Sequence, residues 1–381
     1  MLESSWEAFL PGPLLIGSEI YRGSTYGPKH PLAIPRVSTT LDLIRALGWL
    51  DPARYLDSPM ASPDELCRFH DPAYIAALRR AEETQSVAPE DRERYRIGAD
   101  GNPVYREVFR RPATSAGGVM MAARMTARDG GIAHVPGGGT HHGQRARASG
   151  FCYVNDAVLG LLAWLDAGLA PILYLDIDAH HGDGVEIAFA GEPRVTTLSI
   201  HEAGRWPFSG SGHAGPQALN LPVPPGFNDA EMRALLHGAV LPLIDRLRPE
   251  AIMLQCGADA LEEDPLARLS LSNNAHAEFV GAVCRAAPRF LLLGGGGYNP
   301  WTVARCWARN WAVLNRLPIP ERLPPEAEEV LRRLTFNRAA GRNPPGHWFT
   351  TLADPPREGP VREAVADLIQ GTLPEALGAV A

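Results

Sequence analysis

Carboxylate and imidazole side chains crowd into one short segment of the chain. Asp176, Asp178, His180, His181 and Asp183 fall within eight residues, at the end of a bulky apolar run. Burying so many ionisable groups is costly for each unpaired charge, and a divalent metal ion is the simplest compensation. Alternate residues of an extended segment share a face, so Asp178 and His180 can bind the same ion. A helix cap with salt bridges would explain Asp183 alone, but it explains the whole cluster poorly.

A third ligand follows a second apolar run. Asp259 comes shortly after the run 251–256, in the sequence Gln255-Cys-Gly-Ala-Asp. Taken alone it would be better interpreted as a helix cap, but with Asp178 and His180 it completes a set of two carboxylates and one imidazole. Three protein ligands with a position open to water are typical of a catalytic metal site. Oxygen and nitrogen ligands without thiolate suit Zn²⁺, and also Fe²⁺ or Mn²⁺.

Two adjacent histidines, His141 and His142, lie in the glycine-rich segment GGGTHHG. A lone histidine is more often a hydrogen-bonded core residue, but a pair in a glycine loop is less easily explained in that way. Two carboxylates would roughly neutralise a bound dication and leave its water less acidified, so a nearby base becomes useful. An imidazole near its ordinary pKa of ~6.5 can accept and return a proton. Asp176 and Asp183 are available to orient the two rings.

One tyrosine, Tyr298, ends a second glycine-rich segment, LGGGGYN. A phosphate loop is a weak interpretation, because the segment has no lysine and no Gly-Lys-Ser/Thr ending. A neutral tyrosine in this place can donate a hydrogen bond to a developing oxyanion. It could equally cap the following helix or pack in the core, and the sequence leaves these interpretations about even.

These residues need an architecture that brings distant segments to one edge. Four apolar runs predict buried strands, with candidate polar side chains directly after them, Ser199 and His201 closing the second. Strands that alternate with helices predict a parallel sheet covered on both faces, and such sheets bind ligands outside the carboxyl ends of their strands. The predicted strands are 171–178, 194–200, 251–256 and 290–293, and the predicted helices are 114–128, 155–167, 229–247 and 301–314.

Composition predicts an ordinary globular protein without a nucleic-acid or membrane partner. The chain has 381 residues, 45% of them hydrophobic, and a net charge of −7. The acidic balance argues against non-specific nucleic-acid binding, and no apolar stretch reaches the ~20 residues that span a bilayer. Five scattered cysteines without a C-x-x-C pair, and an N-terminus without a signal-peptide pattern, predict a reducing, cytoplasmic location. We interpret the single lysine, Lys29, among 36 basic residues as a composition bias.

Five ordered motifs resemble the histone deacetylase superfamily. They are GGGTHHG, SGFCYVND, YLDIDAHHGDGV, QCGADAL and LGGGGYN, and the pattern is most similar to the class I-like bacterial branch that includes acetoin utilisation proteins. The resemblance implies an α/β, arginase/deacetylase-like fold, a single domain over 1–381 with a central parallel sheet of about eight strands flanked by helices. Its catalytic core would span about 20–316, and the remainder, 317–381, which starts with the Pro-rich stretch 317–325, looks like a surface wrap or a C-terminal extension. We expect residues 84–107 to form a polar loop.

The same resemblance assigns roles to the polar residues. His142 would be the general base and acid, His141 its electrostatic neighbour, and Tyr298 would polarise the amide carbonyl. The metal, zinc or alternatively Fe²⁺, would be held by three side chains, with two carboxylates behind the histidines. The implied metal ligands are Asp178, His180 and Asp259, and the implied histidine partners are Asp176 for His141 and Asp183 for His142.

A tunnel for the acyl-lysine side chain is also implied. Gly150 and Phe151 match one wall, and either Trp206 or Phe208 would supply the second aromatic, because their segment departs from the family's usual Phe-Pro-Gly form. An acidic rim residue would hold the substrate backbone, and Asp100 lies in the matching segment. Further implied contacts are Gly296 with the substrate, Arg36 with the product channel, and Asp176 and Ser199 with a structural K⁺ ion.

The implied activity is removal of acetyl or short acyl groups from lysine side chains of proteins or peptides by metal-activated water. An acetylpolyamine amidohydrolase is the main alternative. An arginase-like enzyme would need two metal ions, and GGGTHHG together with the tyrosine loop favours one. A non-catalytic module that only binds acyl-lysine is disfavoured by the complete set of ligands, histidines and Tyr298.

Overall fold

Eight parallel strands form one sheet in the computed structural model, which describes the backbone of residues 12–378 and the side chains of residues 12–371. The strands are β1 Leu14–Gly17, β2 Tyr55–Asp57, β3 Gly131–Val135, β4 Ile172–Asp176, β5 Val195–Glu202, β6 Ala218–Val223, β7 Ala251–Gln255 and β8 Arg289–Leu293. Their order across the sheet is β2-β1-β3-β8-β7-β4-β5-β6. The predicted α/β class with a parallel sheet of eight strands is confirmed.

Helices cover both faces of this sheet. A short 3-10 turn, Ala258–Ala260, follows β7. The helices are α1 Ile20–Gly23, α2 Val37–Ala46, α3 Pro63–Leu66, α4 Pro72–Thr84, α5 Pro89–Tyr95, α6 Arg110–Asp129, α7 Asp156–Asp166, α8 Asp183–Phe189, α9 Asp229–Leu235, α10 Leu241–Leu247, α11 Asn273–Val283, α12 Pro300–Leu314, α13 Pro325–Arg332, α14 His347–Thr350 and α15 Glu363–Gly378.

The sequence pattern predicts the four strands that are apolar runs and misses the other four. The predicted runs correspond to β4, β5, β7 and β8. β1 and β2 have only four and three residues, too few to show a pattern. β3 contains the buried His134, and β6 contains Pro222, which an edge strand tolerates. A search for bulky apolar runs therefore finds the centre of the sheet but not its edges.

One helix start differs from the prediction. The helix predicted to begin at the cap residues Thr114 and Ser115 begins at Arg110. The hydroxyl of Thr114 donates to the carbonyl of Arg110 (2.9 Å), and that of Ser115 donates to the carboxylate of Asp156 (2.6 Å). The capping prediction is wrong, because these hydroxyls bond within the helix and to a neighbouring element instead of closing its end.

Two other predicted segments are also different. The helix predicted over 229–247 is divided by a π-helical turn, Leu236–Val240, and Pro242 at the start of α10 has no N–H to donate to the preceding turn. The segment 84–107, predicted as a polar loop, contains the helix α5. Both differences arise at prolines, one inside a predicted helix and one, Pro89, at a helix start where proline is favoured.

Alternate residues of the central strands face the two helical layers. Met253 and Leu291 pack with α6, α7 and α8, whereas Leu254 and Leu292 pack with α2, α11 and α12. Because both faces are buried, the strands are nearly continuous apolar runs. Polar side chains are therefore confined to the strand ends.

A buried ion pair anchors the C-terminal segment to the core. Arg305 of α12 and Asp354 are 0% and 2% exposed, and Nη1 of Arg305 is 2.6 Å from Oδ1 of Asp354. The guanidinium also donates to the carbonyls of Thr351 and Ala353, and Asp354 accepts the N–H of Asn273 in α11. The extension that the sequence predicts to be a surface wrap is thus held from the interior at this point.

All five cysteines fall within the described range, and each is a free thiol. None of the helices between residues 12 and 378 combines the length and apolarity that a membrane span requires. The prediction that the N-terminus has no signal peptide rests on residues 1–11, which lie outside the described residues, as do 379–381.

Replacing Arg305 by methionine should destabilise the whole chain. The change leaves a buried carboxylate and two carbonyls without their donor, which typically costs about 3–5 kcal/mol. Urea unfolding followed by tryptophan fluorescence and circular dichroism should show one transition with a lower midpoint. Arg333→Met, in an exposed pair with Glu329, is the control and should leave the midpoint unchanged. Two separate transitions, or an unchanged midpoint for Arg305→Met, would contradict the single-domain prediction.

Candidate metal centre and active site

The three predicted metal ligands converge at the carboxyl ends of two neighbouring strands. Asp178 and His180 follow β4, and Asp259 lies in the turn after β7. Nδ1 of His180 is 3.2 Å from Oδ1 of Asp178 and 3.0 Å from Oδ2 of Asp259. One ligand atom from each residue lies within 4.8 Å of the others, and this is the one such cluster in the described part of the chain. All three side chains are buried.

Two glycines let the backbone approach these carboxylates. The N–H of Gly296 donates to Oδ2 of Asp178 (2.8 Å), and a Cβ atom at Gly296 would overlap the carboxylate of Asp259. A Cβ atom at Gly257 would overlap the carboxylate of Asp178. The glycine-rich loop after β8 is thus required by close packing against the ligands. Gly296, predicted to contact the substrate, contacts these ligands.

The charges in this cluster fit a metal ion. Burial and the neighbouring Asp178 raise the pKa of Asp259 to about 6. Burial acts to lower the pKa of His180, but the two carboxylates outweigh it and hold that pKa well above its ordinary value. The cluster therefore retains protons that a divalent cation would displace. Two carboxylates and one imidazole, with room for water, are a ligand set that Zn²⁺ accepts.

Gln255, the last residue of β7, is a functional residue that sequence reasoning missed. Its Nε2 donates to Oδ2 of Asp178 (2.8 Å), and its Oε1 accepts the N–H of Gly257 (2.8 Å). These bonds fix the orientation of a metal ligand, as partners of ligands commonly do. The only signal in the sequence is its place at the start of the motif QCGADAL.

The two histidines lie side by side, each beside its own aspartate. Nδ1 of His141 is 2.7 Å from Oδ2 of Asp176, and Nδ1 of His142 is 2.7 Å from Oδ1 of Asp183. The ring centroids are 3.9 Å apart, and all four side chains are buried. The structure brings together the two pairs that the resemblance implies, and each aspartate fixes the orientation of its ring.

The two rings differ in their affinity for protons. Burial acts to lower the pKa of His141, but Asp176 and Asp178 outweigh it and raise that pKa to about 9. Burial, and then the charge of His141, lowers the pKa of His142 to about 4. A dication at Asp178 would add positive charge and lower both values. In either case His142 is a neutral imidazole at neutral pH, able to accept a proton.

Two buried residues at the start of α7 fix the loop that carries the histidines. Oδ1 of Asp156 accepts the N–H of Gly139 (2.8 Å), and Nδ2 of Asn155 donates to the carbonyls of His141 (3.2 Å) and Gly143 (2.9 Å). The sequence shows them only as part of SGFCYVND. Their position at a helix start suggests a cap, so their role in the active-site loop appears only in the structure.

Tyr298 lies between two cavities with its ring buried. It lines both an outer tunnel and an inner cavity, and it packs in a tyrosine-rich apolar cluster with its ring 5.9 Å from that of Phe151. Its N–H donates to the buried carboxylate of Asp264 (2.6 Å), another residue that sequence reasoning missed. Burial raises the pKa of Tyr298 well above its ordinary value, so the phenol is a neutral donor. Tyr298 is thus a buried core residue that also lines both cavities.

The outer tunnel has a volume of about 330 Å³ and aromatic walls. Phe151 and Trp206 line it together with His142 and His180, and the ring of Trp206 is 4.7 Å from that of His142. Of the two aromatic candidates, Trp206 lines the tunnel, whereas Phe208 is 75% exposed and lies outside its walls. The walls suit a slender apolar chain.

Two further predicted substrate residues lie on this tunnel. A Cβ atom at Gly150, whose φ is +53°, would overlap the rings of His142 and Trp206. Asp100 lines the tunnel with its side chain 59% exposed, and its Oδ2 accepts a hydrogen bond from Nε of Arg96 (2.6 Å). The structure thus places Asp100 at the solvent-facing mouth, in an ion pair.

Arg36 lines the inner cavity, which has a volume of about 50 Å³. Its Nη1 donates to the carbonyl of Gly295 (2.6 Å), and the guanidinium lies 5.4 Å from the ring of Trp307. Its buried Nε has no hydrogen-bond partner among residues 12–371, and no carboxylate there forms an ion pair with it. A half-buried cation without a counter-charge favours a small anion in this cavity.

The predicted K⁺ ligands are neighbours across the sheet. Asp176 of β4 is paired with Ser199 of β5. Oδ2 of Asp176 accepts the hydroxyl of Tyr174 (2.7 Å), and the hydroxyl of Ser199 is 2.9 Å from Nδ1 of His201. Asp176 ends β4, just before the metal ligands Asp178 and His180, and Ser199 lies beside it within β5.

Comparison with known proteins identifies relatives over most of the chain. Residues 30–314 match the family model of the histone deacetylase domain. The chain is 38% identical over 313 residues to Histone deacetylase 9 of Arabidopsis thaliana, a match that covers 79% of this chain and 73% of that protein. It is 36% identical over 309 residues to Histone deacetylase 1 of Homo sapiens, covering 78% of this chain and 64% of that protein.

Solved structures share the fold at similar identity. The structure of an HDAC homolog complexed with SAHA superposes with a TM-score of 0.90 at 35% identity, covering 95% of this chain and 100% of that one. An HDAC homolog from Aquifex aeolicus gives a TM-score of 0.89 with the same identity and coverage. Together with the Asp178–His180–Asp259 cluster, these matches show that the chain belongs to the histone deacetylase family.

Proposed function

We propose that this protein is a zinc-dependent amidohydrolase that removes acetyl or short acyl groups from lysine side chains of proteins or peptides. The observation that supports it most is that His180, His142 and Tyr298 line one tunnel. A metal ligand, a neutral base and a neutral hydrogen-bond donor are the groups that amide hydrolysis needs. The aromatic walls, Phe151 and Trp206, suit the methylene chain of an acylated lysine.

Asp178, His180 and Asp259 would hold the metal ion. Zinc fits these oxygen and nitrogen ligands best, and Fe²⁺ is the alternative. When bound, the ion supplies a Lewis acid that acidifies water and withdraws charge from the acyl carbonyl. Gln255 and the N–H of Gly296 hold Asp178 in place for this purpose.

The side chains around the metal site carry the proton transfers. His142 takes a proton from the attacking water through Nε2, because Nδ1 faces Asp183. As the water oxygen bonds to the acyl carbon and the carbonyl opens, the hydroxyl of Tyr298 donates to the oxyanion. His142 then returns the proton to the amine nitrogen while the C–N bond breaks. His141, oriented by Asp176, is the electrostatic neighbour that keeps the proton affinity of His142 low.

The products are a carboxylate and a free amine, and the carboxylate suits the inner cavity. Arg36 supplies a half-buried positive charge there, in the lining that it shares with Tyr298. We also propose that Asp176 and Ser199 hold a K⁺ ion as a structural element. Free thiols at all five cysteines suit the reducing cytoplasm of a bacterial cell, which is our proposed location.

The mouth of the tunnel favours a peptide substrate over the alternative, an acetylpolyamine. Asp100 is exposed there and can accept hydrogen bonds from the backbone amides of an extended chain. A free polyamine has no such amides. The arginase-like alternative would need extra Asp and His ligands for a second metal ion, and the metal-ligand group found in residues 12–371 has three members. A non-catalytic module would not need both His142 and Tyr298 beside the metal site.

Asp259→Asn should lower metal content and activity together. The change removes one of the two charges that hold the dication. Mutating a residue that only supports a metal ligand typically lowers metal affinity or activity by about 10–100-fold. Removing the charge of a ligand itself should therefore lower turnover by more than that. Elemental analysis should find one equivalent of metal in the wild type and less in the variant. Asp166→Asn, an exposed surface carboxylate, is the control. Two equivalents in the wild type, or full activity after exhaustive chelation, would refute the single-metal site.

Tyr298→Phe should reduce kcat by roughly 10²–10³, the effect of losing one oxyanion donor. The ring stays, so the melting temperature and metal content should barely change. Tyr105→Phe is a matched control, because Tyr105 is buried in the same apolar cluster but lines neither the tunnel nor the inner cavity. A Tyr298→Phe variant that melts early yet keeps its turnover would show that the hydroxyl is structural.

Acetyl-lysine peptides should have a higher kcat/KM than acetylputrescine or acetylspermidine by ~10-fold, about 1.4 kcal/mol of transition-state binding. Asp100→Ala should remove most of this preference, because it removes the acceptor for peptide amides. Cleavage of a minimal acetyl-lysine amide should be nearly unaffected. Asp91→Ala, which breaks the ion pair with Arg80 elsewhere on the surface, is the control. The peptide assignment fails if acetylpolyamines are better substrates by a similar margin.

A further inference from the structure

An open groove of about 520 Å³ lies next to the tunnel mouth. Segment 26–31 forms one part of its lining and segment 98–103 another, and Arg92 of α5 completes it. Asp100 lines both the groove and the tunnel. The groove is therefore continuous with the place where the substrate backbone would emerge.

Two cations in this groove have no acidic partner. Lys29 and Arg92 are exposed, and neither forms an ion pair or a side-chain hydrogen bond with any residue in the described range. Most other surface arginines are paired, as Arg96 is with Asp100 and Arg80 with Asp91. The chain as a whole has a net charge of −7, whereas these two free cations make this groove locally positive.

The carboxylates nearby do not cancel these charges. Asp100, the acidic residue in the lining, is already paired with Arg96. Glu90 and Glu93 lie on the same helix as Arg92 but do not line the groove. Burial lowers the pKa of His30, the hydrogen bond to the carbonyl of Gly101 opposes this, and nearby arginines add to the lowering, so this ring is neutral.

Residues of the groove also contact the tunnel wall. The ring of His30 lies edge-on to Phe151 at 4.5 Å, and Oδ1 of Asn102 accepts the N–H of Phe151 (2.9 Å). His30 is further fixed by a 2.9 Å hydrogen bond to the carbonyl of Gly101. A chain lying in the groove would thus rest against the same elements that hold the acyl-lysine.

We propose that this groove binds an acidic segment of the substrate that lies next to the acyl-lysine, so that the enzyme prefers acyl-lysines with Asp or Glu a few residues away. This proposal rests on the lysine deacylase function proposed above and adds its sequence preference. Pro28, Pro31 and Pro103 give the groove rigid walls without competing N–H groups, which suits an extended chain. The same two cations would repel a polyamine, so the groove disfavours that alternative substrate.

The test compares the metal-loaded enzyme on matched acetyl-lysine peptides that carry either Glu or Gln at each position from four residues before to four after the acetyl-lysine. The wild type should favour Glu on one side by about fivefold in kcat/KM at low salt, mainly through KM, the size expected of two exposed ion pairs. The preference should fade at about 0.5 M salt, where screening is nearly complete. Lys29→Gln/Arg92→Gln should abolish it, whereas all forms should cleave a minimal acetyl-lysine amide equally.

Arg248→Gln is the matched control, because Arg248 is an exposed arginine before β7 at the amino-terminal edge of the sheet. It should keep the wild-type preference. The groove proposal is wrong if the wild type cleaves Glu and Gln peptides equally. It is also wrong if the preference for Glu persists in the double variant or at high salt. Neither outcome would contradict the deacylase function. If no acetyl-lysine substrate is cleaved, the deacylase function fails. Fluorescence anisotropy of the Glu and Gln peptides then tests the groove alone, and equal affinities would overturn it.

Discussion

Two carboxylates buried side by side are the feature on which the rest of the site depends. Asp178 and Asp259 approach each other at the ends of β4 and β7, and burial alone would force them to take up protons. The fold keeps them close by placing glycines at 257 and 296, where any side chain would collide with a carboxylate. Gln255 and backbone N–H groups then fix their orientation. The metal site therefore requires both the glycine loop and the strand ends, because together they hold the two carboxylates in place.

Buried carboxylates also control the protonation of the histidine pair. Asp176 and Asp178 both act on His141, which retains its proton, and the charge of His141 helps keep His142 neutral. One imidazole is thereby left neutral and able to accept a proton, whereas its neighbour keeps a proton of its own. A metal ion at Asp178 would lower the proton affinity of both rings. Adjacent residues in one loop acquire different roles because each faces a different aspartate, and Asn155 and Asp156 keep the loop in that register.

The sequence predicts the centre of this molecule better than its periphery, for a physical reason. Long apolar runs and clustered ionisable residues leave a local signal, so β4, β5, β7, β8 and the metal cluster are found from the residues themselves. The edge strands β1 and β2 are too short to show a pattern, and Asp156 and Asp264 look like helix or loop residues until the fold brings them to the site. The choice between Trp206 and Phe208 depended on backbone geometry that no residue pattern encodes.

That geometry is unusual where the substrate would enter. Asp100, Phe151 and Phe208 have φ values of 49°, 66° and 64°, a region that non-glycine residues occupy at a cost of about 1–3 kcal/mol each. Seven non-glycine residues in the described part of the chain have positive φ, and these three belong to segments around the tunnel mouth. Such strained backbone conformations persist only where the surrounding contacts hold the residue in place. Under the proposed function, the chemistry would thus depend on buried strand ends, whereas the choice of substrate would depend on strained surface loops, which can change without disturbing the buried carboxylates.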